Sequence, residues 1–402
     1  MTYRDRMLAA ITHQSSDEIP WAPRMDLWYI ANRASGTLED RFKNMNTVEI
    51  ARELGVACHA VRGDYTLNRP KEDLILRGFG LDNHPDYPFR FELRKFPVDF
   101  ITEGDNIKTT ITTPAGELHT HIKISQDMLK DGISLPFILS YPIRTRDDIE
   151  AVAQVFENIE IVPTPDNYKS FKNRIGDQGL AIANALPVAS PIHLMLHDLM
   201  PMDQFFYMYM DYREELHDLA RRMEPFFDKV LDAVLASDCE VFLWGSNYDQ
   251  NTTYPPFFEE EILPWLQKAS ARARKAGKYL LSHTDGENKE LLRLYRDSGI
   301  AVAESVCPAP MTKCTLKEVR EGMGNGITVF GGIPAVALIE GSMNEAEFEH
   351  YLDVLFSELG TGEGLILGVS DNVPPKASLP RMEKIRLRIK EFGPVRPGSE
   401  TR

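Results

Sequence analysis

From about residue 180 onward, short apolar runs alternate with longer stretches whose apolar residues recur every three or four positions. The short runs are "GLAIANALPVASP" (179–191), "CEVFLWGSNYD" (239–249), "YLLSHTDG" (279–286), "IAVAESVCP" (300–308), "ITVFGGIP" (327–334) and "GLILGVSDNVPP" (364–375). Their length and the polar or Gly/Pro clusters that end them predict strands buried on both faces. The intervening segments, 204–237, 257–277, 288–299, 316–324 and 343–360, carry helical periodicity, the second of them closed by Gly277. Strand–helix alternation of this kind implies a parallel sheet covered by helices.

The N-terminal half is less regular. "IPWAPRMDLWY" (19–29) and "GVACHAVRGDY" (55–65) read as the first two strands. Residues 90–124 alternate polar and apolar with turn residues between, the texture of antiparallel hairpins. The expected architecture is an α/β fold, a (β/α)8 TIM-type barrel with an antiparallel β insertion near residues 85–130. One domain spans residues 1–390, and residues 391–402 form a tail. A doubly wound open sheet fits less well, because no Gly-rich phosphate turn follows an early strand.

Charge narrows the partners. The 402 residues carry 60 acidic and 45 basic side chains, a net charge of −15. Nucleic acid and anionic membrane surfaces are therefore not expected ligands, since both need a basic face. No apolar run reaches the ~20 residues of a membrane span, and "MTYRDRMLAAITHQ" lacks the apolar core of a signal peptide. Four scattered cysteines, Cys58, Cys239, Cys307 and Cys314, fit free thiols in a reducing cytoplasm.

In a barrel the chemistry gathers at the C-terminal ends of the strands. Those ends carry Arg24, Met25 and Asp26; then Arg62, Asp64 and Tyr65; then Trp244, Gly245, Asn247, Tyr248 and Asp249. They continue with His283 and Asp285, Glu304 and Cys307, Gly331, Gly332 and Pro334, and Ser370, Asp371 and Asn372. Each has an ordinary role: Asp, Asn and Ser favour caps and turns, and a lone Cys is usually a small buried hydrophobe. Their joint placement is what points to a site. His, Cys and carboxylate are also the ligand types of zinc, whose catalytic sites take three protein ligands and keep one position open. His119 and His121, two apart on a hairpin, read as solvated. His193 and His197 in "HLMLHD" have the i, i+4 spacing of one helix face but no acidic residue between them.

The segments "RDRMLAAITHQSSDEIPWAP" (4–23), "HTDG" (283–286), "VFGGIP" (329–334) and "LILGVSDNVPP" (365–375) carry a resemblance over nearly the whole chain. The sequence resembles the uroporphyrinogen decarboxylase superfamily, and within it the corrinoid-dependent methyltransferases of the O-demethylase type. Two departures refine what the resemblance implies. The decarboxylase carries an R-Q-A-G-R loop near its N-terminus, whereas the comparable "PRMDLWYIANRAS" (23–35) lacks paired arginines. Arginines are what hold a substrate with many carboxylates. The zinc thiol methyltransferases carry H-x-C and a second Cys near the C-terminus; here Asp285 stands at the first Cys position and the Ser370–Asp371 region at the second. A harder ligand set resembles the enzymes that cleave aryl methyl ethers.

The resemblance therefore implies a cytoplasmic methyltransferase that demethylates a methoxylated aromatic. The methyl group would pass to cobalt(I) of a corrinoid (cobalamin) held by a separate corrinoid protein. His283, Glu304 and Cys307 are the expected zinc ligands, with Asp285 and Asp371 as catalytic groups. Asn247, Tyr248, Asp249, Trp28 and Trp244 are the expected substrate-binding residues, and a homodimer is counted among the partners. The alternatives are a metal-independent decarboxylase or lyase of a small acid, acting through Arg24 and Asp26, and a non-catalytic subunit of a corrinoid complex.

Overall fold

The structure, a computed structural model, describes residues 1–61, 70–133 and 135–397. Arg62, Asp64 and Tyr65, expected at the end of the second strand, lie outside the described residues.

Seven parallel strands form one curled sheet in chain order: β1 Cys58–Ala60, β2 Gly179–Leu186, β3 Val241–Trp244, β4 Tyr279–His283, β5 Val302–Val306, β6 Thr328–Pro334 and β7 Leu365–Ser370. Helices cross between them, as the apolar strands require: every residue of β3, β5, β6 and β7 is buried. The extended segment at Pro20–Ala22 bonds to both edges of the sheet. Trp21 O accepts from Ala57 N beside β1, and Ala22 N donates to Leu367 O in β7. The fold is thus α/β with a TIM-like course. The first expected strand is shorter than the pattern suggested, because a helix begins at Asp26 and runs to Ser35.

The hairpin texture is a four-stranded antiparallel sheet, Val98–Glu103, Asn106–Thr113, Gly116–Lys123 and Phe137–Ser140, lying between β1 and β2 in the chain. It extends past the expected residue 130. A separate antiparallel pair joins Phe89–Glu92 to Glu160–Pro163. At the C-terminus the last helix continues to Phe392, and buried Val395 pairs through both backbone groups with Ser16. Val395 thus finds an apolar seat and a backbone partner.

Period two along the strands sorts their side chains. Leu180, Ile182, Val241, Leu243, Leu281, Val302, Phe330 and Ile366 share one inner apolar cluster, which the N-terminal helix Tyr3–Ile11 caps with Met7, Ala10 and Ile11. Their neighbours Phe242, Trp244, Leu280, Ala303, Val329 and Leu367 face the helices in the outer core. The same alternation carries the inner face onward from Leu281 to His283 and from Val302 to Glu304. It also places His59 between inner-facing Ala57 and Val61. The inner face is apolar at the N-terminal end of the strands and polar at the other.

Candidate active site

Glu304 is the centre of the polar end. Its side chain is fully buried, and both oxygens face imidazoles: Oε2 is 2.5 Å from His283 Nδ1 and Oε1 is 3.2 Å from His59 Nε2. The local backbone aims it. Ser305 has φ +63, and the register with β6 shifts between Glu304 and Val306, a bulge that re-aims side chains beside the break. Gly331 makes room for that bulge, since a Cβ there would stand 2.6 Å from Val306 O. Burial works against the Glu304 charge, but His283 and His59 outweigh it and hold the carboxyl well below its usual range. Burial likewise disfavours the His283 cation, yet Glu304 and Asp285 hold its proton well above the ordinary imidazole range. For His59 burial wins, and the ring stays neutral despite Glu304.

With Nδ1 committed to Glu304, His283 presents Nε2 to two further carboxylates. Asp285 Oδ1 stands 3.6 Å away and Asp371 Oδ1 3.7 Å away. Asp371 also takes Arg24 Nη1 at 2.8 Å and Asn372 Nδ2 at 2.7 Å. Burial opposes its charge, while Arg24 and His283 together hold its carboxyl below the usual range. Arg24 reaches a second carboxylate, Asp26, at 3.6 Å.

Among the described residues, His283, Glu304 and Asp371 each offer a donor atom within 4.8 Å of the others. Two ligands of one tetrahedral zinc stand about 3.4 Å apart, close to the spacing of His283 Nε2 from one oxygen of each aspartate, although Asp285 is not a member of that three-donor group. The N, O, O donor set fits zinc, and Glu304 behind His283 matches the carboxylate–histidine support that metal ligands commonly have. Cys307 stands outside this donor group; it is half-buried, and burial pushes its thiol up to about 11.

The remaining expected residues divide. Asn247, at φ +58, places its Nδ2 2.8 Å from His197 Nε2. It lines a cavity of about 320 Å³ together with Arg77, Tyr87, Phe137, Tyr141 and Asp198. Tyr248 is fully buried, bonded to Ser282 Oγ and stacked on His193. Asp249 ties its own loop, accepting from Asn251 N and Glu287 N. Trp244 points outward to Phe227 and donates to Ala189 O, and Trp28 packs edge-on against Phe42. The structure therefore sets Trp28, Trp244 and Tyr248 in the core, because strand parity and the helix at Asp26 turn them away from the mouth.

The comparisons with known proteins bear on this arrangement. A model of the uroporphyrinogen decarboxylase (URO-D) family matches residues 108–392, well over half of the chain. The chain belongs to the URO-D family. Among solved structures it is similar to a methyltransferase from Methanosarcina mazei, with a TM-score of 0.56 and 13% identity over 98% of this chain and 99% of that one. No curated protein matches. At that identity the likeness is one of fold, and it places this URO-D chain and that methyltransferase on the same framework.

Two parts of this URO-D site escaped the sequence pattern. His59 sits in the apolar run "ACHAV", where a single histidine reads as core. His197 and Asp198 were visible only as a histidine pair. They stand on one π-helical turn, Met195–Leu199, with His197 Nδ1 2.8 Å from Asp198 Oδ2. Such turns are frequent at functional sites.

Proposed function

We propose that the chain is a methyltransferase that demethylates a methoxylated aromatic and delivers the methyl group to the corrinoid of a partner protein. The reading takes the fold as a (β/α)8-type barrel, with Pro20–Arg24 as the stave between β7 and β1, acting in the cytoplasm. One observation carries it: His283 Nε2 faces Asp285 and Asp371 at 3.6 and 3.7 Å, with Glu304 fixed behind. His283 and Asp371 would hold zinc, with Asp285 as the further oxygen donor beside His283 Nε2, and Glu304 would orient His283. Zinc bound there supplies a Lewis acid for an ether oxygen, and nitrogen and oxygen donors leave it more acidic than thiolates do.

The chain's own groups do the rest. Glu304 keeps the His283 ring in one orientation and fixes its tautomer when Nε2 is a ligand. The proton that His283 otherwise carries between Glu304 and Asp285 must leave when Nε2 binds a cation. Arg24 holds Asp371 in place from the inner side. The apolar floor of Leu281, Val302 and Ile366 closes the site from below.

A metal-independent decarboxylase would need Arg24 to grip the substrate's carboxylate. Arg24 is only 4% exposed and already faces Asp26 and Asp371, which weighs against that reading.

Two measurements test the proposal. Elemental analysis should find one zinc per chain, absent in His283→Ala, with Glu304→Gln binding it about 10–100-fold more weakly; equal metal in all three would remove the site. In an anaerobic assay, the cobalt(I) absorbance of cobalamin or the partner protein should fall as methylcobalt forms from methoxybenzenes. Transfer from none of them would end the functional reading.

A further inference from the structure

Glu304 could serve a cation at this site in two ways, as a ligand itself or as the support behind His283 Nδ1. It offers an oxygen within the same 4.8 Å group as His283 and Asp371, so distance to the cluster does not decide between the two. The backbone does not decide it either. Glu304 O accepts from Thr284 N at 2.7 Å and from Thr284 Oγ1 at 3.1 Å, which pins the main chain but leaves the side chain its own torsions. The last of these, about the bond to the carboxyl carbon, is soft in glutamate. The carboxylate plane therefore follows whatever its two oxygens touch.

Oε2 touches His283. Oε1 touches His59 Nε2 at 3.2 Å, and among the described residues no hydrogen bond from any other group reaches it. His59 is itself firmly held. It stands on β1 with its side chain 2% exposed, and its ring lies 4.3 Å from that of Phe330, tilted by 32°. Its Nδ1 has no hydrogen-bond partner among the described residues, so the polar contact of the ring is the one with Glu304. Buried polar atoms in folded proteins are nearly all paired, because leaving one unpaired costs stability. A phenylalanine would pack on Phe330 without that cost. The imidazole therefore points to work done at Nε2.

We propose that His59 is a positioning residue: it holds Glu304 Oε1, so that Oε2 stays on His283 Nδ1 and the carboxylate is kept out of the cation's own coordination shell. The assignment rests on the metal site of the functional reading above, and on neither its substrate nor its corrinoid. In the neutral ring the proton sits on Nε2, facing Glu304, and Nδ1 is bare. Without His59, a fully buried carboxylate oxygen would face no donor, and turning toward a bound cation would relieve it. His59 thus decides which of its two roles Glu304 takes.

Cobalt(II) added to the full chain in place of zinc tests the assignment, because its visible absorption reports the number and kind of ligands. Glu304→Gln alone should weaken cobalt binding but leave the band shape of the wild type. His59→Phe should shift the band and lower its intensity as the carboxylate joins the shell, and adding Glu304→Gln to His59→Phe should bring the wild-type shape back. His59→Gln, which keeps an N–H donor, should resemble wild type. A folded His59→Phe with the wild-type band overturns the proposal. So does a change of band shape in Glu304→Gln alone, since Glu304 would then already be a ligand. Should His59→Phe fail to fold, the wild type carries the test: nitrogen-15 spectra of the metal-free chain should place the His59 proton on Nε2, and a ring protonated only on Nδ1 is equally fatal. A wild type that takes up no cobalt removes the metal site and this role together. The expected cobalt changes without methyl transfer would keep His59 in its role and discard the methyltransferase.

Discussion

His193 shows how far burial alone can move a single side chain. It is fully enclosed two residues ahead of the π-helical turn, its Nδ1 accepts the backbone N–H of Ala189 at 3.2 Å, and its ring stacks on Tyr248. Burial, reinforced by neighbouring His197, pushes its pKa down to about 3. The unfolded chain takes up this proton near pH 6.5, while the folded chain refuses it until about pH 3. The native state is therefore penalised progressively as pH falls from 6.5, and no penalty exists above it. The full loss is on the order of 5 kcal/mol at the acid end of that window. Thermal melts between pH 7 and 5 should show wild type losing stability more steeply than His193→Gln. Parallel slopes would mean that the ring is accessible to protons in the folded state.

At the scale of elements, helix starts are written in local chemistry and helix faces are not. The helix Glu345–Glu358 begins at Asn344, whose side chain accepts from Glu347 N while the Glu347 carboxylate accepts from Asn344 N. The same reciprocal box opens the helices at Tyr3, Thr47 and Leu316. Asn344→Ala should cost about 0.5–2 kcal/mol by denaturant melts, with Asn344→Ser close to wild type; a loss under a few tenths would show that the box is idle. The bulge at Ser305 is an element feature of the opposite sort. Nothing in "AESVC" marks a left-handed serine, because that conformation is imposed by the close passage of Gly331 against Val306. Asn247, at φ +58, is more legible, since Asn tolerates that region better than other side chains do. The segment 204–237 reads as one amphipathic helix but is two, Met202–Asp211 and Arg213–Ala236, parted at Tyr212.

For the whole molecule, the family membership and the site together define a substrate range. The decarboxylation that gives the URO-D family its name needs room and cations for a polycarboxylated tetrapyrrole. The cavity here is about 320 Å³. Arg24 is buried against Asp26 and Asp371, and Arg77 stands by Asp82. No coproporphyrinogen should form from uroporphyrinogen in an anaerobic assay at ordinary enzyme levels, and its appearance would show that the mouth opens far wider than this structure. Among the described residues no helix is long and apolar enough to cross a membrane. The net charge of −15 suits a partner with a basic face.

The sequence by itself determined most of the succession of elements from residue 179 onward, because side-chain period is a local property: short, largely apolar runs bounded by polar or Gly/Pro clusters read as doubly buried strands, and the three-to-four spacing between them as their covering helices. It also placed His283, Asp285, Glu304 and Asp371 at strand ends, since each apolar run stops visibly at a polar cluster. Only the tertiary structure decided which of those ends look at one another. His59 meets Glu304 across the sheet, Asp371 returns from the far end of the chain to His283 and Arg24, and Arg77 reaches the mouth from the segment ahead of the antiparallel sheet. Trp244 faces the helices although its neighbour in sequence leads into the mouth. Each of these is a matter of strand parity and of contact between distant segments, and a contact of that kind leaves no periodic trace in either partner's own stretch of chain.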